Sequence, residues 1–332
     1  MNAASATDPL LQVTDLRVEF GGRAAVCGAS FDLFAGESLG LVGESGSGKS
    51  TLARAILRLL PAVRGSAVWH GRDLLSCGAA ALRALRRDLQ IVFQDPLASL
   101  NPSMTIGDAI AEPLRIFEAG MSAQALKARV GEMLQRVGLD ADMMGRYPHE
   151  FSGGQCQRIG IARAMILNPE LLICDEPVSS LDVSIQGQII NLLLDLQRDA
   201  GTALLFISHN LAVVRHLSHR ILVMYSGNIV EIAACDALFE SPVHPYTRAL
   251  LAAVPSIAQA RSGAAMAELP AGPAAVPAQE MHLGCAYRDR CPHAVAVCAT
   301  VPPPLEEVAA GHRVACHRGR ELMSGFRYPL RP

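Results

Sequence analysis

"GESGSGKST", residues 43–51, follows the apolar run "SLGLV" (38–42) and leads into "LARAILRLL" (52–60), where Leu52, Ile56, Leu59 and Leu60 recur on one helical face. A strand that stops at a glycine-rich turn and resumes as a helix is the setting of a phosphate-binding P-loop. Gly43, Gly46 and Gly48 let successive amides turn inward, and Glu44, Ser45 and Ser47 fill the loop. The helix N-terminus adds its partial positive charge. Lys49 is then set to meet the β- and γ-phosphates, Ser50 offers a hydroxyl to Mg²⁺, and Thr51 completes the motif. Lysine fills only two of the 29 basic positions, Lys49 and Lys127, so one retained in this loop stands out. At about 4 Å and an effective dielectric of about 20, one such charge pair contributes about 4 kcal/mol, enough for Lys49 to decide affinity.

From about Leu10 to Val254 the sequence alternates strand-like apolar runs with helical patterns. "ELLICDE" (170–176) reads as a buried strand, "SIQGQIINLLLDLQRDAG" (184–201) as an amphipathic helix closed by Gly201, and "TALLFIS" (202–208) as a further strand. Strand, helix and strand in that order imply parallel pairing, which makes this an α/β P-loop fold. Between Gln94 and Phe151 the β signal fades. There "SAQALKARVGEMLQRVGL" (122–139) sets Leu126, Val130, Met133, Leu134 and Val137 on one face, so a helical subdomain is expected at about 95–165. The α/β domain is placed at 1–255, an Ala/Pro-rich linker at 256–283 and a cysteine-containing extension at 284–332.

Composition narrows the function classes. Half the residues are hydrophobic and 18% charged, as in globular chains. A net charge of −2 and a pI near 6.5 lack the basic footprint of a nucleic-acid partner, so none is expected. No run approaches 18 apolar residues, and the first twenty positions, with Asp8, Asp15, Arg17 and Glu19, lack a signal-peptide core. A cytoplasmic location is therefore expected, and nine cysteines there read as core residues or metal ligands rather than disulfides.

Asp175 and Glu176 close the strand at 170–176 and so emerge at the carboxyl edge of the sheet, where α/β proteins bind ligands. Asp175 is read as orienting the Mg²⁺ shell and Glu176 as polarising an attacking water. Gln94, in "IVFQDP", is a candidate to link Mg²⁺ or water to the helical insert. His209, after "TALLFIS", is either structural or a polar contact near the γ-phosphate. Phe20, 23 residues before Gly43, either stacks on a nucleotide base or joins the core. "FSGGQCQR" (151–158) makes a second anion site. Ser152 can cap a helix whose first turn, Gly153, Gly154 and Gln155, exposes amides at a positive terminus. Because the chain has one P-loop, this second cradle is read as serving a neighbouring subunit's nucleotide.

The order of P-loop, Gln94 loop, SGGQ, "LLICDE", "SSLD" (179–182, ending in Asp182) and His209 resembles the ATPase subunits of ABC transporters over about Leu10 to Val254. The resemblance implies a head-to-tail pair of subunits holding two ATP molecules with Mg²⁺, each nucleotide between one P-loop and the opposite SGGQ. Phe151, Ser180 and Asn210 replace the more usual Leu, Ala and Asp, and none of these removes a group the mechanism needs. "HPYTRALLAAVP" (244–255) and the tail ending "GHRVACH" (311–317) resemble the ATPases of oligopeptide and dipeptide importers, and "FQDPLASLNP" and "YPHEFSGGQCQRIGIARA" resemble their second ATPase type. The implied partners are a second ATPase subunit (a paralogue or the same chain), two integral membrane permease subunits and an extracytoplasmic binding protein, with the chain peripheral at the cytoplasmic face of the membrane. Nickel, glutathione or sugar importers use related machinery. A soluble ABC ATPase shares the nucleotide motifs, but is expected to carry tandem domains, a coiled-coil insertion or a basic patch.

Cys285, Cys291, Cys298 and Cys316 are separated by five, six and seventeen intervening residues. These spacings lack the paired short intervals of zinc sites. Family resemblance points to a 4Fe-4S cluster, with zinc and unligated packing as the alternatives. The other five cysteines, Cys174 among them, are read as core residues.

Overall fold

The computed structural model describes residues 8–253 and 283–324. The stretch read as a linker therefore lies, up to residue 282, outside the described residues. The strands are β1 (Leu11–Phe20), β2 (Arg23–Leu33), β3 (Ser38–Val42), β4 (Arg64–Trp69), β5 (Arg72–Asp73), β6 (Leu89–Val92), β7 (Leu171–Asp175), β8 (Ala203–Ile207), β9 (Arg220–Tyr225), β10 (Asn228–Ala234), β11 (Glu306–Ala309) and β12 (His312–Val314). The helices are α1 (Lys49–Ile56), α2 (Ala79–Leu85), α3 (Ile106–Phe117), α4 (Ala123–Arg136), α5 (Gly153–Met165), α6 (Val183–Ala200), α7 (Leu211–Leu217), α8 (Cys235–Glu240), α9 (Pro245–Ala252) and α10 (Gly319–Ser324). Among the described residues no helix is long and apolar enough to cross a membrane.

The chain divides into two compact units. The first comprises Leu33–Ser38 and Ser76–Ser208, with the residues up to Leu10. In it β6, β7 and β8 pair in parallel, Leu89 opposite Leu171 and Leu171 opposite Ala203. Every residue of β7 and β8 is buried, as in parallel strands covered on both faces. The crossover between them is α6, which ends at Gly201 in the left-handed conformation (φ +66°), as the sequence predicts. Between β6 and β7 the described residues form no strand, and α3, α4 and α5 fill the expected helical stretch. Thr105 and Ser122 cap α3 and α4 by accepting the N–H groups of Asp108 and Ala125. Of the face predicted for 122–139, Val130, Met133, Leu134 and Val137 are buried and Leu126 is half-buried.

The second unit comprises Leu11–Asp32, Leu39–Leu75 and the described residues from His209 onward. One of its sheets runs β2-β1-β4-β5, with β4 antiparallel to both β1 and β5. A second group runs β11-β12-β10-β9-β3, in which β3 and β9 are parallel and the other neighbours antiparallel. The C-terminal segment is therefore bonded into this unit, because β12 extends the edge of β10 with Glu231 opposite Val314. Val243, Val314 and Leu322 form a small core under it, flanked by Val308, Cys316 and Met323.

The helix after the P-loop is shorter than its periodicity predicts. It ends at Ile56, Arg58 turns to φ +51°, and Leu59 is 43% exposed rather than on the core face. The cause is Pro61, which disfavours helical backbone at Leu60. The N–H groups of Leu59 and Leu60 both fold back onto the Arg54 carbonyl.

Candidate functional site

The phosphate loop belongs to the second unit. It leaves the fully buried β3 and enters α1, which starts at Lys49 with Gly48 as its left-handed N-cap (φ +98°). Two glycines are fixed by close approach of backbone. A Cβ at Gly43 would lie 2.1 Å from the Met224 carbonyl oxygen, and one at Gly48 would lie 2.3 Å from that of Ala25. The loop is tied down from the other side by Gly227 N–H donating to the Ser47 carbonyl at 3.0 Å. Lys49 is 4% exposed, and its ammonium donates to the carbonyls of Gly43 (2.9 Å) and Glu44 (2.8 Å), with the Ser47 hydroxyl at 3.4 Å. The cation therefore lies across the mouth of its own loop. Phe20, at the end of β1 in the same unit, is 47% exposed, so it does not join the core. His209 is exposed and stands two residues beyond β8, not at the strand's end, with Asn210 next to it capping α7.

The first unit carries the acidic pair, Gln94 and the SGGQ turn. Asp175 is the last residue of β7 and is wholly buried, whereas Glu176 is half-exposed. Glu176 takes a left-handed backbone (φ +49°), a costly conformation for a residue with a side chain, and its N–H is held by the Ile207 carbonyl at 3.1 Å. The structure brings Gln94 and Glu176 together. The Gln94 amide donates to the Glu176 carboxylate at 3.3 Å and lies 3.4 Å from the Ser179 hydroxyl, which itself donates to the Glu176 carbonyl at 3.1 Å. Ser152 caps α5 as predicted. It accepts from the Gln155 N–H at 3.4 Å, and the Gln155 side chain accepts the Ser152 N–H at 3.0 Å. Ser152 and Gly153 are exposed, and Gly154 and Gln155 half-buried, so the turn opens to the surface. Asp182 is the exposed N-cap residue of α6.

The cysteines of the C-terminal segment are neighbours. Cys285 N–H donates to the Cys298 carbonyl at 2.8 Å. Burial pushes the Cys285 thiol up to about 11, and the thiols of Cys298, Cys291 and Cys316 act in the same direction. Burial likewise raises Cys291 and Cys316. All nine cysteines are free. Among the described residues no three His, Cys, Asp or Glu side chains group tightly enough to hold one metal ion. Of the other five, Cys156, Cys174 and Cys235 are buried as expected, and Cys27 and Cys77 are only half-buried.

Sequence reasoning missed a group around Glu44. The Tyr246 hydroxyl accepts the Glu44 N–H at 2.9 Å, and the Arg290 guanidinium binds the Glu44 carboxylate at 3.2 and 3.3 Å. Tyr246 belongs to "HPYTRALLAAVP", and Arg290 directly precedes Cys291. Burial lowers His244 to about 4, so it is neutral near pH 7 and its Nδ1 accepts the Tyr246 N–H at 3.1 Å. No rule of spacing links residues 246 positions apart. The available signal was a His-Pro-Tyr turn beside a helix start.

Two family descriptions match the chain: "ABC transporter" over residues 26–179 and "Oligopeptide/dipeptide transporter, C-terminal region" over residues 230–298. The chain is 50% identical over 320 residues to the oligopeptide transport ATP-binding protein OppF of Escherichia coli K12, covering 92% of this chain and 95% of that protein. It is 47% identical to a putative peptide import ATP-binding protein of Brucella ovis, covering 93% and 98%. Among solved structures it resembles the ATP-binding cassette MJ0796 in a dimeric post-hydrolysis state bound to ADP and Pi, with a TM-score of 0.63, 27% identity, and coverage of 68% of this chain and 98% of that one. The cbiO1 structure from Clostridium perfringens, part of the ABC transporter complex cbiONQ, gives a TM-score of 0.62 and 26% identity, with coverage of 70% and 91%.

Proposed function

The chain belongs to the ABC transporter family of ATPases, and from that premise we propose that it hydrolyses ATP as the motor subunit of an oligopeptide importer. The observation that carries this reading is the 50% identity, over nearly the whole chain, to a protein named for ATP binding in oligopeptide transport. The local chemistry supports it. The buried ammonium of Lys49, at the start of α1 and in a loop closed by backbone contacts, is a phosphate-binding group. Ser50, Asp175 and Gln94 supply hydroxyl, carboxylate and amide oxygens, the hard donors that suit Mg²⁺. Mg²⁺ would neutralise charge on the phosphate oxygens. Glu176 accepts the proton of the attacking water, with Gln94 holding its carboxylate, and His209 contributes a polar contact to the transferring phosphoryl group. Phe20 offers an exposed ring for adenine.

Ser152, Gly153, Gly154, Gln155 and Asp182 act on the nucleotide of a second ATPase subunit in a head-to-tail dimer. The exposure of Ser152, Gly153 and Asp182 at helix N-termini supports this role. Two integral permease subunits and an extracytoplasmic binding protein complete the importer, with this chain peripheral at the cytoplasmic face of the membrane. Leu97, Ile116 and Tyr147, apolar side chains 40–50% exposed in and around the helical stretch, support a protein partner there. Cys285, Cys291, Cys298 and Cys316 stand as candidate ligands of a 4Fe-4S cluster. Their all-thiol donor set supports that choice, and a cluster spans more space than one ion. Iron and sulfide in stoichiometric amounts in anaerobically purified protein are the expected result; protein free of both removes the assignment.

Co-expression with the permease subunits tests the main reading. The chain is expected to co-purify with them, and cells are expected to take up a labelled oligopeptide only when Lys49 is intact. A chain that hydrolyses ATP but never associates with membrane subunits overturns it.

A further inference from the structure

Glu44 is bound at every polar group it has. Its N–H goes to Tyr246, its carbonyl accepts from Lys49 at 2.8 Å, and its carboxylate is clasped by Arg290. The Arg290 pair is not a loose surface contact, since the two side chains are 11% and 23% exposed. The guanidinium also lies about equally over the rings of Tyr225 (6.0 Å) and Tyr287 (5.9 Å). Tyr225, Tyr246 and Tyr287 pack on one another with centroids 4.6 to 5.5 Å apart, and Tyr246 and Tyr287 are almost fully buried.

Both arms of this contact have firm footings. Tyr246 follows Val243 and His244, whose N–H groups donate to the wholly buried Glu231 carboxylate at 2.8 and 3.0 Å. His312, from β12, closes on the same carboxylate at 2.7 Å, so the C-terminal hairpin and the His-Pro-Tyr turn share one buried anchor. Arg290 ends a short 3₁₀ turn, Arg288–Arg290, framed by Cys285 and Cys291. The Cys285 carbonyl accepts from Arg288, and the Cys291 N–H donates to the Arg288 carbonyl. The two cysteines thus frame the turn whose last residue carries the guanidinium.

We propose that Tyr246 and Arg290 are positioning residues of the nucleotide site: they hold Glu44, and through its carbonyl the Lys49 ammonium, so that the cysteine-bearing C-terminal segment sets the affinity of the P-loop for ATP. The inference rests on the reading of residues 43–51 as the ATP site. It gives the His-Pro-Tyr turn and the tail a task that none of the nucleotide motifs assigns to them. Arg290 reaches Glu44 from 246 positions away, and Glu44 is the loop residue that, with Gly43, offers its carbonyl to the Lys49 ammonium.

The test is ATP affinity of the full-length chain, measured by titration with a fluorescent ATP analogue and Mg²⁺, beside kcat and thermal melting. Arg290→Leu is expected to weaken affinity about tenfold, with kcat at saturating ATP changed far less. Arg290→Lys is expected to recover most of that loss. In a Glu44→Gln background, Arg290→Leu is expected to add little, because the pair is already broken. Tyr246→Phe removes one hydroxyl and is expected to weaken ATP binding in the same direction, which keeps the test open if Arg290→Leu fails to fold. A folded Arg290→Leu or Tyr246→Phe variant that binds ATP like the parent chain overturns the proposal, as do losses that simply add in the double variant. Lys49→Ala separates the two readings. If it binds ATP normally the ATP-site reading itself fails, whereas if it loses ATP while Arg290→Leu keeps it, the positioning role alone fails.

Discussion

Lys49 in one unit and Glu176 in the other are held in different ways. Around the P-loop, Lys49 is buried, Gly43 and Gly48 sit within van der Waals reach of backbone carbonyls, and Glu44 is bound on three sides. Around Glu176, beside the wholly buried Asp175, the Gln94 amide makes long bonds, 3.3 Å to the half-exposed Glu176 carboxylate and 3.4 Å to the Ser179 hydroxyl. Long, solvent-reached bonds between neutral amide and carboxylate are individually worth little and rearrange at small cost. On the proposed reading, the loop that would hold phosphate is built beforehand, whereas the Gln94 contact to the proposed base is long enough to change with the ligand. A motor that alternates between nucleotide states needs that division, since a rigid base would be as well placed after hydrolysis as before it.

The largest effect expected is at the loosely held side. Glu176→Gln keeps an oxygen for the Gln94 amide and removes the proposed proton acceptor, so hydrolysis should fall by about 10²–10⁴-fold. ATP binding should persist, because the groups that hold phosphate are untouched. Single-turnover hydrolysis beside equilibrium ATP binding measures both. Full retained hydrolysis takes the base role from Glu176, and loss of ATP binding in this variant breaks the division between the units.

How far such a division could be read in advance depends on the reach of the interactions. The P-loop, the strand before it, the cap at Ser152 and the stop at Gly201 are local, and each was legible from residue types within a few positions. The parallel order of β7 and β8 followed from the crossover helix between them. The end of α1 was misjudged because apolar spacing continues past Ile56, although Pro61 carried the stop signal. The positive φ of Glu176 is imposed by the burial of β7 and the Ile207 contact, and no pattern of residue types announces it. The clasp on Glu44 was out of reach for the same reason. Tyr246 and Arg290 are 202 and 246 positions away, and only folding makes them neighbours.

A smaller effect is expected on the rigid side, and its character matters more than its size. In Gly43→Ala the new methyl would lie 2.1 Å from the Met224 carbonyl oxygen and 2.9 Å from the Ser47 hydroxyl. A backbone oxygen of β9 cannot swing aside as a flexible side chain can, so the loop must move instead. Forcing a methyl into packed surroundings costs about 1–3 kcal/mol, which corresponds to roughly fivefold to a hundredfold in affinity if the shift falls on the phosphate-bound state. Because the Gly43 carbonyl also accepts from Lys49, that shift moves an oxygen that fixes the ammonium. Weaker ATP binding with kcat at saturation largely preserved is therefore expected, the reverse of Glu176→Gln. If kcat falls and affinity stays, the loop is positioning the reacting groups rather than merely holding phosphate, and the P-loop belongs with Glu176 on the catalytic side of the comparison.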